Sequence, residues 1–240
     1  MTDQDVTITW LGHSTLVVET PEGKRLIIDP WLDENPGVPE DFDGIHSLDG
    51  LLLSHGHFDH AGDAVRLVDE FDPQVIGIFE VATWLENNGA ENVVPMNEGG
   101  TFQSEELQID LTAVHAQHSS CVMYEDNTLG PGGDPLGWVI DFSSGKTLYY
   151  TGDTNVFSDM ALVSDLYDPD MVILPIGDHF TMGPREAAKA IELIDVDHVV
   201  PVHYGTFPVL TGTPDALKAE LDASRADAVE VVDPGGSVSL

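Results

Sequence analysis

The sequence predicts an α/β fold with enough strands for two β-sheets. Short apolar runs rich in Val, Ile and Leu alternate with segments whose apolar residues recur at helical spacing. In addition, 42% of the 240 residues are hydrophobic, which is enough to bury a large core. No linker, internal repeat or low-complexity tract interrupts this pattern, so we expect a single domain over residues 1–240.

The N-terminal part of the chain predicts a hairpin followed by a loop. The segment VTITWLGHSTLVVET alternates apolar and polar residues and is rich in β-branched side chains. The polar segment PEGKR then turns the chain into a second apolar run, LIIDPWL. Residues 32–49 are polar and rich in Pro and Asp, which is typical of a loop.

The next segments predict βαβ alternation. GLLLSH is a short, wholly apolar run of the kind that forms a strand covered on both faces. DHAGDAVRLVDEF then spaces its apolar residues as a helix does, with Asp59 at the expected N-cap. QVIGIFE and NVVPM predict two more strands, and VATWLENNG between them predicts a helix that Gly89 closes.

The second half of the chain continues the same pattern. TFQSEELQIDLTAVHAQHSS predicts two strands around a turn, and EDNTLGPGGDP predicts a mobile loop. LGWVIDF, KTLYYTGDT, DMVILPIG and DHVVPVHYGTF predict further strands. We expect helices at about residues 157–165 and in MGPREAAKAIELI, where Pro184 suits the first turn.

The charge of the chain restricts its setting and its partners. Its 43 acidic and 8 basic residues give a net charge of −35 with histidine neutral, and self-repulsion of that size opposes compaction. Molar salt, with a Debye length of roughly 3 Å, would screen this repulsion, so we expect a halophile-type cytoplasmic protein. A surface this acidic repels phosphate backbones and anionic lipids, which argues against nucleic-acid and membrane partners.

Targeting and cysteine signals are sparse. The start MTDQDVTITW has neither the basic nor the apolar region of a signal peptide, and no apolar run approaches the ~20 residues of a membrane span. The single cysteine, Cys121, cannot form an internal disulfide, and a structural thiolate zinc site would need several more. Any metal ion must therefore be held by His and Asp.

Side chains that bind metal ions follow four of the predicted strands. Such side chains come directly after GLLLS, LTAVHAQ, TLYYTG and HVVPV, and they are His55, His57, Asp59, His60, His118, Asp153 and His203. Strand ends on one side of an α/β sheet are where such folds build their sites. Neutral imidazoles and carboxylates are suitable zinc ligands, so the sequence predicts a metal site there.

The stretch HGHFDH has a spacing that suits two cations. In a tight turn, His55 and His57 can face one cation, while Asp59 and His60 can point at a second. Two neighbouring cations need a shared anion, for which Asp153 is the candidate. The alternatives are a His-rich surface turn for HGHFDH and an Asx-turn or helix cap for Asp153.

These motifs resemble those of a known family. HGHFDH matches the H-x-H-x-D-H signature of the metallo-β-lactamase superfamily. The stretches TWLGHST, IIDPWL, HAQHSS, YYTGDTNVFSDM, LPIGDHFTMGP and VPVHYGTFPV resemble its uncharacterised metal-dependent hydrolases, which are relatives of the ascorbate-phosphate lactonase branch. The resemblance runs from about residue 7 to residue 210.

The resemblance implies an αββα sandwich with two metal ions at the sheet edge. The family pattern gives one metal to His55, His57 and His118 and the other to Asp59, His60 and His203, with Asp153 between them. Within HAQHSS, His118 directly precedes the serines, as the family ligand does. His115 is the alternative ligand to His118. If it is not a ligand, we expect it to lie on a strand face or to contact a ligand.

Two divalent metal ions imply hydrolysis by a hydroxide held between them, without a covalent intermediate. Zinc is the expected metal, with Mn and Fe as alternatives. Asp59 is expected to bind a metal and to orient the hydroxide, while His13 and His179 are candidate donors to the developing oxyanion. A turn or core histidine is the alternative for His13, and a residue outside the substrate contacts is the alternative for His179.

The expected substrate is a small ester, lactone or phosphorylated metabolite. No basic phosphate clamp accompanies the motifs, and Arg185 is the only basic residue near one of them. The alternatives are a phosphodiesterase or nuclease of the same superfamily, a non-catalytic metal-binding protein, and an iron-dependent redox variant. Association into a homo-oligomer is compatible with the sequence.

Overall fold

Two β-sheets form the centre of the fold. The computed structural model describes residues 5–124 and 126–240. In the first sheet the strands lie in the order β15-β1-β2-β3-β4-β5-β6, with β1 Thr7–Trp10, β2 Leu16–Glu19, β3 Arg25–Ile28, β4 Gly50–Leu52, β5 Gln74–Ile78, β6 Val93–Met96 and β15 Ser237–Ser239. In the second the order is β14-β13-β12-β11-β8-β7, with β7 Thr101–Ser104, β8 Ile109–His115, β11 Leu136–Phe142, β12 Thr147–Tyr150, β13 Met171–Pro175 and β14 Val199–Val202.

A short hairpin and seven helices complete the described part of the chain. The hairpin pairs β9 Cys121–Met123 with β10 Leu129–Pro131 in antiparallel fashion. The helices are α1 Phe58–Ala61, α2 Ala64–Phe71, α3 Phe79–Asn87, α4 Met160–Tyr167, α5 Pro184–Ile194, α6 Pro214–Glu220 and α7 Ala223–Ala228. None of the helices in the described ranges is long and apolar enough to cross a membrane.

The second sheet is buried on both faces, and its residues alternate between two clusters. Trp138 and Ile140 of β11 pack into the cluster that also holds the first sheet, whereas Val139 between them packs against the helices. In β12, Tyr150 lies on the first side and Tyr149 on the second. Because successive side chains of a strand point to opposite faces, a wholly apolar strand can serve both layers.

Helices cover the outer face of each sheet. Met160 of α4 and Ile191 of α5 pack with the helix-facing residues of the second sheet. Leu67 of α2 and Leu85 of α3 pack with the first sheet. The αββα metallo-β-lactamase sandwich that the resemblance implies is confirmed by this layering. The single domain over 1–240 stays a prediction, and residues 1–4 and Glu125 lie outside the described ranges.

Three local predictions need correction. The first apolar run is two strands, because Gly12 and His13 have φ of +97° and +52° and so cannot continue a strand between β1 and β2. Asp59 is not an N-cap, since α1 has His57 at that position and α2 has Asp63. Part of the segment predicted as a mobile loop forms β10, while its first residue, Glu125, lies outside the described ranges.

Candidate metal centre

The predicted ligands meet at one edge of the two sheets. His55 and His57 lie in the loop between β4 and α1, and Asp59 and His60 lie in α1. The remaining three follow β8, β12 and β14, as the sequence predicts; they are His118, Asp153 and His203. All of the predicted ligands except Asp153 belong to clusters within which every ligand atom lies within 4.8 Å of the others. Among the described residues there are two main groups and a third cluster that joins Asp29 to His55 and His60.

The first group contains His55, His57 and His118. The Nε2 atom of His55 lies 2.9 Å from Nδ1 of His57, and the ring of His118 is centred 5.2 Å from each of theirs. His115, the alternative, is exposed on β8 and contacts Glu98 at 3.2 Å. The geometry therefore favours His118 over His115 as a ligand.

The second group contains His13, Asp59, His60 and His203. The Nε2 atom of His13 lies 3.2 Å from Oδ2 of Asp59, and its ring is centred 3.9 Å from that of His203. On its other side, Nδ1 of His13 lies 2.6 Å from the hydroxyl of Thr206. Both nitrogens of His13 are thus engaged, which fixes its ring against Asp59.

Asp153 lies between the two groups. Its Oδ2 atom is 3.1 Å from Nε2 of His203 and 3.3 Å from Nε2 of His60, both in the second group. The same oxygen lies 3.6 Å from Nε2 of His118, in the first group. One buried carboxylate oxygen therefore faces imidazoles of both groups, as a bridging ligand must.

Sequence reasoning missed Asp29, the residue that holds His60. Asp29 follows β3 and is fully buried. Its Oδ2 atom lies 2.9 Å from Nδ1 of His60 and accepts hydrogen bonds from the hydroxyls of Ser54 and Tyr150, both at 2.6 Å. Its Oδ1 atom accepts from the backbone N–H of Ser54 at 2.7 Å. The signal was an acidic residue at a strand end, the same feature that identified Asp153.

Three residues of this centre have a left-handed backbone conformation. His13, Asp29 and His203 have φ of +52°, +49° and +55°, which is uncommon for residues with a side chain. The carbonyl of His13 accepts a 2.8 Å hydrogen bond from the backbone N–H of His203, which links the two strained positions. Strain of this kind persists only where surrounding contacts impose it, and it clusters at functional sites.

Burial and neighbouring charges set the pKa values of the centre. Burial holds the pKa of His55 well below its ordinary value and also lowers the pKa of His57 and His118. Burial opposes a charge on His60 as well, but the carboxylates of Asp153 and Asp29 outweigh it and raise its pKa well above the ordinary value. The first group is therefore neutral at neutral pH, as metal-binding imidazoles must be.

The carboxylates of Asp59 and Asp153 remain charged, and His13 remains neutral. Burial opposes the charge of Asp153, yet the neighbouring His203 and His60 hold its pKa well below the usual range. Burial also opposes the charge of Asp59, but the hydrogen bond from His13 and the charge of His60 hold its pKa well below the usual range. Burial lowers the pKa of His13 to about 4 against the opposing effect of Asp59.

Unpartnered polar atoms test whether a cation fits here. Among the described residues, Oδ1 of Asp153 and Nδ1 of His203 are buried without a hydrogen-bond partner. The Nε2 atoms of His60 and His203 are also buried and lie 3.3 and 3.1 Å from Oδ2 of Asp153 without the angles of a hydrogen bond. Buried polar atoms almost always have a partner, so their clustering at one point indicates a site suited to binding a cation. Imidazole and carboxylate donors suit zinc and other first-row divalent ions. The residues therefore fit a metal centre.

A cavity of about 540 Å³, the inner cavity, opens onto both groups. Its polar wall is formed by His57, Asp59, His118 and Asp153, and its apolar wall includes Phe207. His13 is fully buried and is not among the lining residues. His179 is exposed beside Phe180 and is not among the clustered ligands or the described lining residues.

Comparisons with known proteins identify the family of the chain. Residues 24–204 match the family model described as the β-lactamase superfamily domain. A relative from Solibacter usitatus, named as a UPF0173 metal-dependent hydrolase, is 45% identical over 96% of this chain and 98% of its own. A relative of the same name from Rubrobacter xylanophilus is 45% identical over 88% of this chain and 86% of its own.

A solved structure has the same fold over nearly the whole chain. Igni18, described as a novel metallo hydrolase from the archaeon Ignicoccus hospitalis, superposes with a TM-score of 0.85 at 32% identity, covering 99% of each chain. The relatives named as hydrolases argue against the non-catalytic interpretation of the site. The fold, the clustered His and Asp side chains and these matches all agree. The chain belongs to the β-lactamase superfamily and is a metal-dependent hydrolase.

Proposed function

We propose that this hydrolase holds two divalent metal ions, zinc in the first instance, and cleaves a small neutral ester or lactone. The observation that carries the two-metal proposal is the position of Asp153. Its Oδ2 atom lies 3.1 to 3.6 Å from imidazole nitrogens of both ligand groups. A single ion would not need one carboxylate to face two separate sets of ligands.

In this proposal the first group would hold one ion, and three members of the second group would hold the other. His55, His57 and His118 hold the first, and Asp59, His60 and His203 hold the second, with Asp153 shared. Bound there, divalent cations would act as Lewis acids that polarise the bond under attack and activate water for hydrolysis. The carboxylate of Asp59 lines the inner cavity, where it can accept a hydrogen bond from a water molecule and so orient it.

We assign His13 the role of positioning Asp59. The hydroxyl of Thr206 can donate a hydrogen bond to Nδ1 of His13. The ring proton then lies on Nε2, which donates a hydrogen bond to Asp59. This arrangement fixes the direction in which Asp59 points. The alternative role, donation to an oxyanion, would require His13 to reach the inner cavity, whose wall is formed by other residues.

The lining of the inner cavity supports a neutral substrate. Phe58, Phe180, Phe207 and Val209 supply apolar surface around the ligands. Among the described lining residues there is no Lys or Arg to hold a phosphate group. Together with the net charge of −35, this favours a small ester or lactone over a phosphorylated metabolite or a nucleic acid.

The test combines metal analysis with a substrate panel. The protein is purified in molar KCl and loaded with zinc or manganese, and its metal content is measured by elemental analysis. Aryl acetates, δ-lactones and an aryl phosphodiester are then compared. We expect two metal ions per chain and turnover of esters or lactones in preference to the phosphodiester. A single bound ion, or turnover confined to the phosphodiester, would contradict the proposal.

The cellular setting remains a separate proposal. We propose a cytoplasm with molar salt, because only strong screening allows a chain with a charge of −35 to fold without large self-repulsion. We also propose that its partner is a small-molecule substrate and that nucleic acid and membranes are not partners.

A further inference from the structure

A second and larger cavity lies beside the inner cavity. This outer cleft has a volume of about 720 Å³, and Phe58 lines both spaces. The loop that carries the metal ligands also runs between them, because Gly56 lines the outer cleft and His57 lines the inner cavity. The two spaces therefore adjoin at Phe58.

The outer cleft gathers large apolar side chains at the surface. Phe58 is 48% exposed, Tyr124 46% and Met123 40%, and all three line it together with Trp84 and Val65. Such side chains normally occur singly on the surface of a soluble domain, and a contiguous group of them marks a binding surface. Three aromatic rings around one cleft suit a flat, apolar ligand.

Close backbone packing fixes the wall of the cleft. A Cβ atom at Gly56 would lie 2.7 Å from the carbonyl oxygen of Cys121, so only glycine lets the β9–β10 hairpin approach the metal-binding loop this closely. A Cβ atom at Gly130 would lie 2.5 Å from the hydroxyl of Tyr124, so glycine there lets that ring lie against β10. The hairpin backbone is therefore held against the loop at Gly56, which lowers the entropy cost of binding on that side of the cleft.

The charges around the cleft select the ligand. Among the described residues that line it there is no Lys or Arg, and Asp126 contributes a carboxylate. The Oδ1 atom of Asp126 already accepts hydrogen bonds from the backbone N–H and the hydroxyl of Thr128, at 3.0 and 2.6 Å. An anionic ligand would find no counter-charge here and would lose its hydration. A neutral ring would not.

We propose that the outer cleft is a second compartment of the substrate site and binds a neutral aromatic group of the substrate, beyond the bond that is cleaved. Phe58 separates this group from the reacting part of the molecule. The role of the cleft as a substrate compartment rests on the proposed ester or lactone hydrolysis. It narrows the substrate to a molecule with an uncharged aromatic portion.

Tryptophan fluorescence tests binding without turnover. Of the four tryptophans, Trp10, Trp31 and Trp138 are buried, and only Trp84 is partly exposed, at the outer cleft. The probe is 4-nitrobenzyl alcohol, a neutral ring that quenches tryptophan, with 4-nitrobenzoate as its anionic counterpart. We expect saturable quenching by the alcohol, weaker binding of the anion, and about tenfold weaker binding of the alcohol after Tyr124→Ala. Quenching that does not saturate, or that Tyr124→Ala leaves unchanged, would overturn the proposal.

Kinetics with two neutral esters test the substrate role. Benzyl acetate and methyl acetate share the reacting group and differ in the ring. We expect Tyr124→Ala to lower the ratio of kcat/KM for benzyl acetate to kcat/KM for methyl acetate about tenfold. Leu166→Ala is the control, because Leu166 of α4 is apolar and 71% exposed but is not among the described residues that line the cleft. This variant should leave the ratio unchanged.

The outcomes separate the two proposals. Hydrolysis of both esters with a ratio that does not respond to Tyr124→Ala would overturn the outer cleft alone. Failure of the metal-loaded wild-type protein to hydrolyse any ester or lactone would overturn the proposed function and, with it, the substrate role of the cleft.

Discussion

Replacing Asp29 by Asn should damage both the fold and the metal centre. The carboxylate is fully buried and serves four polar groups, three through Oδ2 and one through Oδ1. Asn has one oxygen and one NH2 group, so it cannot accept from both sides. The amide orientation that costs least keeps the three contacts at Oδ2 and turns its NH2 group toward the backbone N–H of Ser54.

The magnitude follows from those contacts. The buried N–H of Ser54 loses its partner, which costs about 1–3 kcal/mol. The three remaining contacts change from charge-assisted to neutral hydrogen bonds and lose about 1 kcal/mol each. We therefore expect Asp29→Asn to lower the free energy of unfolding by about 5 kcal/mol. Because Asp29 orients His60, metal affinity should also fall, by about 10–100-fold.

Two assays separate these effects. Urea unfolding of the metal-free protein in molar KCl measures stability, and a competition titration with a chromophoric chelator measures zinc affinity. Asp63→Asn is the matched control, because Asp63 is also buried but binds Arg66 and the backbone N–H groups of Leu32 and Asp33. The control should lose stability and keep its zinc affinity. If Asp29→Asn lost less than about 1 kcal/mol and bound zinc normally, the reasoning would be wrong.

Three further predictions follow from the ligand groups and the surface charge. His118→Ala should reduce the metal content from two ions per chain to one, whereas His115→Ala should leave it at two, as elemental analysis will show. The melting temperature should rise steeply with KCl concentration, because salt screens the net charge of −35; a melting temperature independent of KCl would contradict this. The pKa of Asp49 is lowered from its ordinary value. Burial acts in the opposite direction, but the hydrogen bonds that the carboxylate accepts from the backbone N–H of Arg25 and from Lys24 outweigh it. The charged Asp49 carboxylate therefore stabilises the fold fully above pH 3.8, its pKa in the unfolded chain, and this stabilisation is lost as the pH falls through its pKa in the folded protein. Asp49→Asn should thus weaken the dependence of the free energy of unfolding on acid pH, as urea unfolding at several pH values will show.

The clustering of the candidate metal ligands could be predicted because it depends on local features. HGHFDH lies in one turn after a buried strand, and Asp153 and His203 each follow a strand that apolar residues make recognisable. Strand ends in this fold share one edge, so strand placement alone brings such residues together. The choice between His115 and His118 needed the structure, which shows only His118 turned toward the other ligands.

The remaining features depend on contacts between distant parts of the chain. Asp29 reaches His60, 31 residues later, and Tyr150, 121 residues later, and no local pattern encodes those pairs. The segment that contains β10 predicts a loop because it is rich in Gly and Pro, yet β10 pairs with β9. Met123 at the end of β9 and Thr128 just before β10 line the outer cleft. Pairing of this kind is set by tertiary packing rather than by local propensity.

The central claim is that Asp153 joins two metal ions in one centre. Its most direct test is elemental analysis of Asp153→Ala beside the wild-type protein, both loaded with zinc and freed of excess metal by gel filtration. We expect two ions per chain in the wild type, and in the variant fewer than two together with a loss of ester or lactone turnover. A variant that keeps two ions and full turnover would contradict the claim.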